Sequence, residues 1–96
     1  MAIAEKRISK AEERGAFINI PRKICANIRP GPRKIQIVCN GQEITAYMNR
    51  WFRVFLGRDF FKERNLREGT PIKMMWINSD TLRIEVIRVW EEEEER

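Results

Sequence analysis

"RKIQIVCNGQEITAYM" (residues 33–48) decides how this chain is read. Two runs of β-forming residues flank Asn40-Gly41, and both turn residues accept the positive φ that a type I′ hairpin turn demands. Ile35 and Ile37 on one arm, with Ile44, Ala46 and Met48 on the other, recur with the period of a strand, so one face of the hairpin is expected to be buried.

Upstream, "GAFINI" (15–20) alternates Phe17 and Asn19 against Ala16, Ile18 and Ile20 and predicts a strand. Pro21 suits a first helical position, Ile24 and Ile28 fall four apart, and "RPGP" (29–32) is a stop, so a short helix is expected over 21–28. Downstream, "WFRVFL" (51–56) reads as a strand entered through a tight turn at Asn49-Arg50, with Phe52, Val54 and Leu56 on one side and Trp51, Arg53 and Phe55 on the other. "GRDFFKERNL" (57–66) reads as a second short helix that turns Phe60 and Phe61 inward, with Asp59 well placed near its positive end. "PIKMMWI" (71–77) and "TLRIEVIRV" (81–89) form a final strand pair joined at Asn78-Ser79-Asp80, with Leu82, Ile84 and Val86 inward. The order short helix, strand, Asn-led turn, strand thus occurs twice, and Asn40 matches Asn78 at an offset of 38 residues. Pairing the two units covers edges that a lone hairpin would expose, which suggests a small closed or half-closed barrel of about seven strands.

The chain has 96 residues, 43% of them hydrophobic and 34% charged, as expected of one globular domain. It has no apolar run of the roughly 20 residues that cross a bilayer and no secretory signal, so no membrane partner is expected. Cys25 and Cys39 sit in apolar settings without metal-ligand spacing and read as buried free thiols, in keeping with an intracellular location. The absence of His removes the commonest general base and metal ligand, and Asp59, Glu63, Glu68, Asp80 and Glu85 are interleaved with cations, so no enzyme, metal or cofactor is expected. Five of the fourteen acidic residues lie in "EEEEE" (91–95). Residues 1–90 therefore carry eighteen Lys and Arg against nine Asp and Glu, a balance that attracts polyanions or else keeps a charge-rich surface soluble.

The succession "ISKAEERGAFINIPRK", "CNGQEITAYM", "FKERNLREGT", "TLRIEVIR" resembles the B3 DNA-binding domain best known from plant transcription factors. The third segment carries most of the likeness: Phe60-Phe61-Lys62-Glu63-Arg64-Asn65-Leu66-Arg67-Glu68-Gly69-Thr70 is similar to the family's F-V-K-x-N-x-L-x-x-G-D, and Leu82 to Arg88 follows its L-x-V-x-I-x-R ending. The likeness spans about residues 8–89. Thr70 stands where the family has Asp, the family's second-helix Trp is missing near Gly57, and the loop at Asn49-Arg50 is shorter than in plant members. Such domains belong to a broader pseudobarrel group that is similar to the effector-binding part of certain restriction endonucleases. AbrB-type regulators are a neighbouring resemblance, but they build one barrel from two interlocked chains, whereas this chain holds both halves.

The resemblance implies a mostly β (α+β), seven-stranded B3-like pseudobarrel with two short helices. It would comprise a flexible leader (1–7), the domain itself (8–90) and a solvated acidic tail (91–96) that could compete with DNA for the basic face. It implies a sequence-preferring double-stranded DNA-binding protein, a transcriptional regulator, with no small-molecule substrate and acting as a monomer, a dimer being the alternative. The first DNA-gripping arm would run from Lys10 to Arg14 into Arg22 and Lys23, and the second from Tyr47 through Asn49 and Arg50 to Arg53. Arg and Lys neutralise phosphates or read guanine, and an Asn amide can pair with adenine. Arg22 and Lys23 would face a phosphate at a helix start, or else be solvated residues beside a proline; Tyr47, Asn49 and Arg50 would touch bases, or else make an ordinary turn. Trp51, Trp76 and Trp90 are expected in the core or at its edge. The rival functions are an RNA-binding or ribosome-associated barrel and a non-catalytic protein-interaction module.

Overall fold

The computed structural model describes residues 2–87. Seven strands and two short helices follow in the order β1 (Ile3–Arg7), α1 (Lys10–Gly15), β2 (Phe17–Asn19), β3 (Arg33–Cys39), β4 (Gln42–Met48), β5 (Arg53–Phe55), α2 (Arg58–Glu63), β6 (Pro71–Asn78) and β7 (Thr81–Val86). They form one curled mixed sheet, β1-β6-β7-β3-β4-β5-β2, that makes a half-barrel. The mostly β, seven-stranded pseudobarrel with two short helices is the architecture present.

The Asn40-Gly41 hairpin forms in the expected register, from Arg33↔Met48 to Cys39↔Gln42, with φ of 53° and 81° at the two turn residues. Ile35, Ile37, Ala46 and Met48 are buried, and Ile44 packs against the core from its edge. The second hairpin, β6–β7, buries Met74, Leu82 and Ile84, and the side chain of Asn78 accepts the backbone N–H of Asp80 at 2.8 Å across its turn. One parallel pair, Gln36↔Thr81 to Val38↔Arg83, joins the two hairpins. Phe60 and Phe61 of α2 are buried in the core as expected, and both cysteines are buried free thiols whose pKa burial pushes up.

Two expectations need correction. Residues 3–7, read as leader, are strand β1, paired along its length with β6 from Ile3↔Met75 to Arg7↔Pro71 and burying Ala4. Its composition is too polar to announce a strand, and only the partner strand settles its conformation. The helix expected over 21–28 is a single 3-10 turn, Arg22–Ile24. Pro21 stays extended at φ −58°, ψ 133°, and Pro30 biases the residue before it away from helix, so too few residues remain to offset the cost of nucleation. The first α-helix is instead α1, within the stretch read as an arm. The end of the strand pair beyond Ile87, Trp90 and the tail lie outside the described residues.

Candidate nucleic-acid interface

Helix α1 is short but closed at both ends. Ser9 caps it: its hydroxyl accepts the N–H of Glu12 at 3.1 Å, and the Glu12 carboxylate accepts the N–H of Ser9 at 2.8 Å. At the other end Ala16 takes a left-handed φ of 57° and turns the chain into β2. Glu12 is fully buried and also accepts the N–H of Asn19 at 2.8 Å and the ammonium of Lys6. Burial alone pushes its carboxyl up, yet the hydrogen bonds from Asn19, Lys6 and Ser9, with the Lys6 charge, outweigh that and hold it below its ordinary value. Lys10 and Arg14, four residues apart, are therefore presented on a rigid exposed helix rather than on an extended arm. The Arg14 carbonyl accepts the guanidinium of Arg58 at 3.1 Å, which brings α2's first cation beside it.

Between β4 and β5 the chain reverses over residues 49–52. The side-chain oxygen of Asn49 accepts the N–H of Trp51 at 2.9 Å and that of Arg53 at 3.0 Å, while its backbone carbonyl accepts the N–H of Phe52 at 3.1 Å. Phe52 takes φ 64°, rare for a bulky residue, and is buried. Its burial leaves Arg50 and Trp51 outside, with Trp51 62% exposed and the Arg50 guanidinium 4.9 Å from the indole centre. Asn49 is thus a turn-builder: with its oxygen committed twice, it does not offer the bidentate amide expected for adenine. Trp76 is in the core as expected, whereas Trp51 is not.

The strands that follow set a row of side chains across the outer face. Register places Phe17 of β2 opposite Phe55 of β5, Phe55 opposite Tyr47 of β4, and Tyr47 opposite Lys34 of β3. The rings touch at centroid distances of 6.0 Å for Phe17–Phe55 and 5.8 Å for Tyr47–Phe55. In the next row Arg53 faces Asn19, donates to its side-chain oxygen at 3.1 Å and lays its guanidinium 4.1 Å from the Phe17 centroid.

The fold thus gathers Tyr47, Asn49, Arg50 and Arg53 at the β4–β5 turn and strand. Arg22 and Lys23 belong to the same end of the half-barrel: Ile20, just past β2, donates its N–H to the Phe52 carbonyl at 2.9 Å, and the two cations follow directly, exposed. Their 3-10 turn is too short to carry a useful dipole, so a phosphate there would be held by side-chain charge. Arg14 stands at the opposite end of the β2–β5 pair, where the Ala16 carbonyl accepts the N–H groups of Leu56 and Gly57 at 3.1 Å, and Lys10 lies one helical turn beyond. Among the described residues the ion pairs are Lys6–Glu12, Arg33–Asp80, Arg64–Glu63 and Lys73–Glu85, and none of the six candidate cations takes part. Sequence reading missed Phe17, Phe55, Trp51 and Lys34, although their alternation with buried neighbours was visible. It also missed the Ser9-x-x-Glu12 signature of the cap that sets α1.

No family model matches this chain, and no curated protein matches it. Solved structures do. The Arabidopsis thaliana protein At1g16640.1 superposes with a TM-score of 0.71 at 16% identity, over 90% of this chain and 89% of its own. The N-terminal domain of Helicobacter pylori LlaJI.R1 superposes with a TM-score of 0.62 at 11% identity, over 93% of this chain and 89% of its own. Both neighbours are B3-like pseudobarrels. This chain shares their fold. At these identities the likeness concerns the course of the backbone, and the side chains that could bind a partner are this chain's own. Among the described residues no helix is long and apolar enough to cross a membrane.

Proposed function

We propose that the protein binds double-stranded DNA through the β2–β5 side of the half-barrel, prefers certain sequences and serves as a non-catalytic transcriptional regulator. The observation that carries this reading is the grouping of Arg22, Lys23, Arg50 and Arg53 at one end of the sheet, with no carboxylate paired to any of them among the described residues. Cations left without a carboxylate partner suit a phosphate backbone, since neutralising its phosphates releases the counterions condensed on the nucleic acid and so drives binding. Arg50, at the tip of a turn braced by Asn49, is the side chain suited to reach base edges. Arg53, held by Asn19 and Phe17, and the pair Arg22 and Lys23 position the backbone, and Lys10 and Arg14 extend the track along α1. One chain builds the whole half-barrel, so binding as a monomer needs no second copy.

The test is selection from a randomised duplex pool at about 150 mM salt, with duplex and single-stranded RNA as competitors. An enriched duplex motif that Arg50→Ala abolishes, and that Arg22→Ala weakens evenly across sequences, is the expected result. Equal binding of every duplex would remove the sequence preference. Preference for RNA, or no binding at all, would overturn the DNA reading.

A further inference from the structure

The outer face of β4–β5–β2 carries more aromatic surface than the sheet needs for its own pairing. Cross-strand contacts account for where the rings touch. They do not account for what stays open: Tyr47 is 46% exposed and Phe55 40%, although Phe55 sits on the central strand of the three. Phe17, at the sheet's edge, is already occupied by the Arg53 guanidinium. The unoccupied rings are therefore Phe55 and Tyr47, bounded by Arg53 on one side and by Lys34, Tyr47's neighbour in the row, on the other. Trp51 adds a third exposed ring at the head of β5.

We infer that this face is a stacking platform for unpaired bases, so that DNA in which bases have left the duplex is the preferred form of the ligand here. The inference rests on the DNA reading above. A base paired in a duplex hides its π-face against its neighbours, and a groove presents only base edges, so exposed rings gain little from intact duplex. An unpaired base offers the whole π-face, and the phosphates on either side meet Arg53 and Lys34. The rigidity of the site suits this role, because Phe55 and Tyr47 stand on paired strands rather than on a loop.

The experiment compares four labelled probes by fluorescence anisotropy at about 150 mM salt. They are a perfect duplex, the same duplex interrupted by a run of unpaired thymines, the single DNA strand, and an RNA strand of the same sequence. The interrupted duplex should bind about tenfold more tightly than the perfect one, as expected for one base stacked on an aromatic side chain. Phe55→Leu and Tyr47→Leu keep an apolar side chain at an exposed position and remove the ring; each should bring that ratio close to one. Equal affinity for perfect and interrupted duplex, or a preference that survives both substitutions, overturns the platform and leaves the duplex reading standing. An RNA strand that outcompetes the DNA strand overturns DNA as the occupant. Failure of every probe to bind overturns both readings together.

Discussion

The buried carboxylate of Glu12 accepts the backbone N–H of Asn19 at 2.8 Å. Through that bond, and through Lys6 of β1 and the Ser9 cap, one side chain ties β1, α1 and β2 together. The edge strand that carries Phe17 and Asn19 is only three residues long, paired with β5 alone, and the bond to Glu12 holds its far end to α1.

Glu12→Ala should therefore be costly. It leaves the N–H groups of Ser9 and Asn19 without their acceptor and the partly exposed Lys6 without its counter-charge, a loss of about 2 kcal/mol, as for donors left unsatisfied. Chemical denaturation of the two proteins measures it, and a difference under about 1 kcal/mol would deny Glu12 that role.

The same group gives a signed pH dependence. Its carboxyl lies below the ordinary 4.5 in the folded protein, so between that folded value and 4.5 the unfolded chain binds the extra proton. The stabilisation from Glu12 is thus full above the ordinary value and lost as pH falls through the folded one. Wild type should lose stability more steeply than Glu12→Gln below pH 4.5, as read from denaturation midpoints across the acid range; parallel curves would contradict this.

Asn49→Ala should cost about 1–2 kcal/mol, because two backbone donors lose their acceptor in a turn where Phe52 already holds a left-handed φ. Asn49→Asp keeps the accepting oxygen and should melt close to wild type. If Asn49 acted by reading a base instead, alanine would alter sequence preference and leave the melting temperature in place.

Gly31→Ala tests the support beneath that turn. A Cβ on Gly31 would stand 2.0 Å from the Met48 carbonyl oxygen and 2.8 Å from that of Asn49, both backbone atoms that cannot swing aside. The expected cost is at the upper end of the roughly 1–3 kcal/mol seen on overpacking, with binding weakened through the displaced Arg50. Gly41→Ala is the useful comparison, since its new Cβ meets nothing within 4 Å and only its φ of 81° opposes the change. A smaller loss at Gly31 than at Gly41 would show that the 29–32 segment yields.

Strands with alternating apolar residues were legible, and so was the second helix: Ile35, Ile37, Ala46, Met48, Val54, Leu82 and Ile84 are buried as their spacing implied. The candidate site was legible in its cations and less so in its geometry. The six Arg and Lys candidates are all free of ion pairs among the described residues, but Asn49 is spent on the turn and Trp51 stands outside the core. The first helix was sought at 21–28, where proline limits it to one turn, and not at 10–15, where a capping box starts it.

The division has a physical cause. Periodicity and turn chemistry act between residues close in the chain, so Asn40-Gly41 and the alternation on either side of it specified a hairpin and its buried face before any partner was known. Residues 3–7 have no such signal; β1 exists because β6 offers it a ladder, and the polar Glu12 is buried because Lys6 and Asn19 arrive from other elements to satisfy it. The aromatic row is of the same kind. Phe17 lies far from Tyr47 and Phe55 in the chain, and only the register of three strands sets their rings side by side.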